Sequence, residues 1–284
     1  MTETGNATRQ AFEFETRPGD ILRGDLWSPA PDLHRRTDAA VVICHGFKGF
    51  KDWGFFPHVA RELATTLGCR AATFNFTGSG IGPNLADFTE PEAFGHNTFG
   101  KEVADLAAIL DGLEAGRLGN VTCAPVARLG VVGHSRGAVA AILAGERSTV
   151  RAVSTWAGIG AAERYLAPFE GLAPGEPAKI ANARTGDVLP LYDDVKREIL
   201  ASPDRFDLSA SLRRSEIPLL VVHGTADASV PVEDARRLAA VESARLALVD
   251  GAGHTFEVGH PFEGPSPELE RVLSLTTEHF RTHL

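Results

Sequence analysis

The sequence predicts an α/β chain: a mostly parallel, eight-stranded sheet with helices on both faces and an inserted lid. Short apolar runs of strand length alternate with stretches of helical periodicity, which is the rhythm of a parallel sheet wrapped by helices. One long stretch, Ile159 to Ser215, breaks that rhythm and turns to Pro, Gly, aromatic and charged residues, the composition of a functional cover. With 284 residues, 43% hydrophobic and 23% charged, the chain can bury one full core, so a single domain over residues 1–284 is expected, with the lid at about 159–215.

The elements follow in order. Arg9–Thr16 and Ile21–Ser28 alternate around Pro18-Gly19 and read as an antiparallel hairpin, whereas Ala39–Gly46 and Cys69–Phe76 are solid apolar runs of buried-strand type. Phe55–Gly68 repeats Val59, Leu63 and Leu67 at helical spacing and ends on a glycine suited to a C-cap. Asn97–Ala115 carries Val103, Leu106 and Leu110 in the same way. Then come the strand of "ARLGVVGHS", a helix from Arg136, strands at Val150–Gly158 and Glu216–Gly224, a helix over Val232–Val241, the last strand within Ala244–His254 and a closing helix from Pro267.

Composition excludes several classes of function. A formal charge of -9 with scattered Lys and Arg offers no basic face for nucleic acid or an anionic membrane. Cys44, Cys69 and Cys123 cannot all pair, and neither CxxC nor His-ligand spacing occurs, so no disulfide framework and no metal site is expected. These thiols suit a reducing cytoplasm. The polar start "MTETGNATRQAFEFET" lacks the apolar core of a signal peptide, and no run reaches the length of a membrane span. Oligomeric state is not legible here.

The chemistry is concentrated in four short stretches. "GHSRG", Gly133 to Gly137, sets Ser135 between two glycines, after an apolar strand and before an apolar helix. A GxSxG pattern is weak by itself, but this context is that of a strained nucleophile elbow, where only small neighbours fit. A serine at its free pKa needs an imidazole base oriented by a carboxylate. "LALVDGAGHTF" delivers His254 on a Gly-rich turn after the last strand, with His260 six residues further on. "LLVVHGTADASVP" delivers Asp227 after the preceding strand; Asp250, closer to His254 in sequence, is its rival. Backbone donors for an oxyanion are expected at Arg136 and at Phe47, in "ICHGFKGF", where His45 buttresses the loop and Gly46 lets it turn.

In order and type, these stretches, with "FNFTGSG" at Phe74 to Gly80, resemble the α/β-hydrolase superfamily from about residue 10 to the end. The branch is similar to dienelactone-hydrolase-like proteins, cinnamoyl and feruloyl esterases and prolyl-oligopeptidase-related peptidases. The resemblance implies a Ser-Asp-His triad, no cofactor and hydrolysis of a small-molecule ester. Arg136 departs from the more usual Gln, Met or Leu after the serine, so its side chain either meets substrate or supports the insert. Trp156, Tyr165, Phe169 and Tyr192 are candidates for an apolar wall over the substrate, or else the lid's own small core. Asp187 and Arg184 are candidates for substrate contact or for holding the lid down. A peptidase would want an acidic pocket, for which Glu163, Glu170, Asp193 and Asp194 are available. A non-catalytic binding protein would carry a broken triad or oxyanion loop, and neither break occurs.

Overall fold

The computed structural model describes residues 2–4, 7–33, 36–85, 87–182 and 186–284. Its strands are β1 (Thr2–Thr4), β2 (Ala7–Arg17), β3 (Asp20–Pro29), β4 (Ala39–Cys44), β5 (Arg70–Asn75), the short pair β6 (Arg117–Leu118) and β7 (Val121–Thr122), β8 (Arg128–His134), β9 (Val150–Trp156), β10 (Ala178–Ala181), β11 (Val188–Leu191), β12 (Leu219–Gly224) and β13 (Ala244–Val249). The helices are α1 (Phe56–Leu67), α2 (Pro91–Gly95), α3 (Phe99–Glu114), α4 (Gly137–Ala144), α5 (Asp194–Ala201), α6 (Leu208–Ser215), α7 (Val232–Leu238) and α8 (Pro267–His283).

One sheet organises them, in the order β1-β2-β3-β5-β4-β8-β9-β12-β13. The eight expected strands are all present, and the three-residue β1 adds an antiparallel edge beside β2. From β5 to β13 every neighbour is parallel, while β2 and β3 form the hairpin that closes the other side. β4, β5 and β12 are buried along their whole length, which is why they read as unbroken apolar runs. Alternation sorts their side chains into two cores: Val42, Val131 and Val221 face one helical layer, Ile43, Val132 and Val222 the other.

Helix ends follow local chemistry. α1 stops at Gly68, whose φ of 63° is the left-handed conformation that glycine adopts without penalty. Thr98 caps α3 by accepting from the Lys101 amide at 3.2 Å, and Ser266 caps α8 through Leu269 at 3.0 Å.

Residues 159–215 add no strand to the main sheet. They hold a 3-10 turn over Ala162–Phe169, an antiparallel pair β10–β11, α5, a second 3-10 turn and α6. α6 packs on α4 and buries Leu208 and Leu212 in the core before leading into β12. Those last residues therefore belong to the helical layer of the sheet. The apolar spacing of Leu208 and Leu212 was masked by the charged residues around it. No helix among the described residues is long and apolar enough to cross a membrane.

Three buried histidines fasten the layers as neutral rings. His45 accepts the Phe76 amide at Nε2 (3.2 Å) and donates from Nδ1 to the Gly46 carbonyl (2.9 Å), joining the ends of β4 and β5. His134 Nε2 donates to the His254 carbonyl at 3.0 Å, and His279 Nε2 on α8 donates to Val153 in β9 at 3.1 Å. Burial pushes all three down from the ordinary 6.5, His45 and His279 to about 4 and His134 to about 3. The folded chain thus refuses protons that the unfolded chain accepts, so stability present above pH 6.5 is lost as pH falls towards 4. Each ring contributes up to about 1.4 kcal/mol per pH unit across that window. Urea midpoints should fall steadily below pH 6.5, and His279→Gln should make the decline shallower. A flat profile would show that the native rings carry charge.

Candidate active site

The sheet brings the singled-out residues to the carboxyl ends of its parallel strands, where β4, β8, β12 and the edge strand β13 each release a loop. β8 ends at His134, and Ser135 follows with φ of 54°, a left-handed conformation that a side-chain-bearing residue keeps only where its surroundings impose it. The surroundings are tight. A Cβ on Gly137 would lie 2.5 Å from the His45 carbonyl oxygen, one on Gly133 2.6 Å from the Ala138 Cα, and one on Gly46 2.8 Å from the Ser135 Cβ. Hydrogen bonds pin the turn: the Ser135 amide donates to Trp156 at 2.9 Å, and the Ser135 carbonyl accepts from Ala138 and Ile159 at 3.2 Å each.

His254 sits on the turn after β13, and its Nδ1 is 2.8 Å from Asp227 Oδ2, on the turn after β12. The other Asp227 oxygen accepts the amides of Ser229 and Val230 at 2.8 and 2.9 Å. Burial alone would raise the Asp227 carboxyl, but the His254 contact and the two amides outweigh it and hold the group below the ordinary carboxylate range. Nδ1–H therefore points at a carboxylate, which leaves Nε2 as the basic lone pair. Asp250 does not approach His254; it accepts from Thr225 Oγ1 at 3.1 Å. His260 lies elsewhere, receiving the Gly54 amide at Nδ1 and stacking on Trp53.

Ser135 and His254 line one cavity of about 350 Å³. Larger grooves on the surface, such as one beside α6 lined by Arg213 and Glu242, lie far from this chemistry. The cavity wall comes mainly from the segment after β4, with Phe47, Lys48, Trp53 and Phe56, and it is completed by His134, Asn182 and Thr255. Among the described residues no backbone or side-chain acceptor takes the amide hydrogens of Phe47 or Arg136. Two donors flanking Ser135 are thus available to a ligand oxygen.

Several expected positions fall elsewhere. Trp156 is fully buried, donating Nε1 to Thr276 Oγ1 at 2.9 Å, so it packs the core and is not among the residues lining the Ser135 cavity. Tyr192 stacks on His96 with centroids 4.2 Å apart and donates to Glu92, away from Ser135. Tyr165 packs on the Arg136 guanidinium, and Phe169 is buried in the main core cluster on one face of the sheet. Glu163, Glu170, Asp193 and Asp194 do not line the cavity, and the last two pair with Arg197. Asp187 is exposed, and Arg184 lies outside the described residues. The missed residues are Lys48, Trp53, Phe56, His134 and Asn182. A signal was present for the aromatic ones: "FKGFKDWGFF" follows the oxyanion stretch directly, and it is the densest aromatic run in the chain.

A model of the alpha/beta hydrolase family matches residues 41–268. No curated protein matches the chain. Among solved structures, the esterase domain of a Rhodothermus marinus protein is 21% identical, with a TM-score of 0.68 over 97% of this chain and 99% of that one. Est1E from Butyrivibrio proteoclasticus is 19% identical, with a TM-score of 0.68 over 95% and 97%. A dienelactone hydrolase from Anabaena variabilis is 19% identical, with a TM-score of 0.60 over 99% and 100%. With the family model spanning most of the chain, over the elbow of Ser135 and the carboxylate-held imidazole of His254, this chain belongs to the alpha/beta hydrolase family.

Proposed function

We propose that the chain is a serine hydrolase that cleaves carboxylic esters of small or aromatic substrates through an acyl-enzyme on Ser135. The observation that carries this reading is the common cavity shared by the left-handed Ser135 and by His254, whose Nδ1 is held by Asp227 at 2.8 Å. In the first half-reaction Ser135 Oγ attacks the ester carbonyl while His254 Nε2 takes its proton. The carbonyl oxygen, now negative, receives the Phe47 and Arg136 amides. Collapse expels the alcohol, which takes the proton from His254; water, deprotonated by the same ring, then releases the acid. Asp227, kept ionised, stabilises the imidazolium at each passage.

The lining supports an ester rather than a peptide with a free amine. Phe47, Trp53 and Phe56 offer aromatic surface, and among the described lining residues the charged side chain is the cation Lys48, with no carboxylate to meet an ammonium group. The named esterases and the dienelactone hydrolase of the same fold agree with this choice. Residues 159–206 act as the substrate cover in this reading. Lys48 Nζ donates to the Ala181 carbonyl at 3.0 Å, so the loop after β4 and the insert meet over the cavity.

A fluorophosphonate probe should label the protein once. Ser135→Ala should abolish labelling and lower kcat by roughly 10³ or more, because serine and base act as a unit. Labelling that survives the substitution would refute Ser135 as nucleophile. p-Nitrophenyl esters should turn over faster than aminoacyl nitroanilides, and the reverse ranking would favour a peptidase.

Asp227→Asn keeps size but allows the wrong imidazole tautomer, so kcat at neutral pH should drop by several orders of magnitude, up to about 10⁴, with the fold retained by circular dichroism. Asp250→Asn should cost roughly tenfold or less. A folded Asp227→Asn with near wild-type kcat, beside a dead Asp250→Asn, would reassign the acid.

A further inference from the structure

The Arg136 guanidinium points away from the cavity and is enclosed. Its side chain is 1% exposed, and Nε donates to Glu102 Oε1 in the first turn of α3 at 2.7 Å. Asn97 Nδ2 donates to that same oxygen at 2.7 Å. Among the described residues no acceptor is in hydrogen-bonding geometry with either terminal nitrogen of Arg136. Aromatic faces surround the cation instead: Phe99 at 4.2 Å, Tyr165 at 4.4 Å and Phe47 at 5.4 Å from the guanidinium carbon to the ring centroids. The rings also meet one another, Tyr165 edge-on to Phe47 at 5.5 Å and to Phe99 at 5.2 Å.

Each member of this cage comes from a different part of the site. Arg136 follows the nucleophile position, Phe47 belongs to the loop after β4, Phe99 and Glu102 open α3, and Tyr165 lies in the insert. The two residues whose amides flank Ser135 are thus in contact through their own side chains, and the insert supplies the ring that closes the contact. We propose that the Arg136 side chain is a positioning residue that sets the spacing of the two oxyanion donors, and that Tyr165 makes this spacing depend on how the insert is seated. The inference rests on the serine-hydrolase reading above.

The physical basis is the poor solvation of the charge. Removed from water and with one carboxylate contact through Nε, the guanidinium gains from each ring face, because a desolvated cation is drawn to the negative face of an aromatic ring. A ring that moves forfeits that gain, so Phe47 and Tyr165 are held to the cation and, through it, to the elbow. Oxyanion stabilisation is steep in geometry, since a misplacement near 1 Å can cost about a hundredfold in rate.

The test uses the full-length protein, a p-nitrophenyl ester, and an alkyl boronic acid whose tetrahedral serine adduct reads the donor pair. Tyr165→Leu, which spares the buried ion pair, should lower kcat by about tenfold to a hundredfold and weaken boronate inhibition in step, with KM within about threefold of wild type. Tyr165→Phe, which keeps the ring, should restore both to within about twofold. Arg136→Met combined with Glu102→Gln should reproduce the Tyr165→Leu pattern without leaving a buried carboxylate unpaired. Folded Tyr165→Leu with kcat and boronate affinity within twofold of wild type would overturn the inference, as would a change in KM alone, which marks substrate contact. Wild type that takes no fluorophosphonate label would overturn the serine reading and this inference with it, whereas a labelled wild type beside an indifferent Tyr165→Leu would sink the inference alone.

Discussion

The site depends on one steric constraint, the approach of β8 and α4 to the end of β4. Ser135 can hold a left-handed backbone only because its flanks, Gly133 and Gly137, carry no Cβ where the Ala138 backbone and the carbonyls of Cys44 and His45 already lie. The same closeness presses the loop after β4 against the elbow, so that Gly46 touches Ser135 and Phe47 lines the cavity that Ser135 opens into. Strain of roughly 1–3 kcal/mol at such a residue is tolerated because the parallel register on both sides of β8, Cys44 opposite Gly133 and His134 opposite Trp156, leaves the turn no other path.

Around that turn, neutral and charged groups divide the work of holding loops in place. His45 and His134 are neutral rings used as fasteners, one for the loop after β4 and one for the turn that carries His254. Lys51 is charged and 3% exposed, and its Nζ reaches Asp25 Oδ2 at 2.5 Å, fixing the far end of the same loop to β3. Such a pair adds little net stability, because desolvation consumes most of the Coulombic gain. What it supplies is register: Lys51 reaches Asp52 beside it as well as Asp25 across on β3, and the Asp25 contact ties the loop to that strand.

What the sequence made legible were the features encoded over short range. GHSRG, HGTAD and GAGHTF each combine a strand end with a turn and a reactive group within a handful of residues, so Ser135, Asp227 and His254 could be singled out before any three-dimensional information. The lining of the cavity was not legible because aromatic content does not say which way a ring points. Trp156 ends β9 with its indole turned into the core, while Trp53, which had no reading, and Phe56, read as part of the helix over Phe55–Gly68, line the cavity. The boundary of the insert slipped for a similar reason, since α6 shows its apolar residues only when α4 is there to receive them.

Arg136 marks where local reading stops. From sequence its side chain could equally face a substrate or a support, because the choice turns on Glu102, Phe99 and Tyr165, which come together only in the folded chain. An arginine here is an expensive choice: an apolar residue of similar volume would avoid the desolvation cost that Glu102 and the rings must offset. The return on that cost is directional. A hydrophobic plug would tolerate many seatings of the insert, whereas a cation with a single carboxylate contact favours the arrangement in which all three rings face it. Uniqueness of geometry, rather than added stability, is what a pair of backbone donors aimed at one oxygen requires.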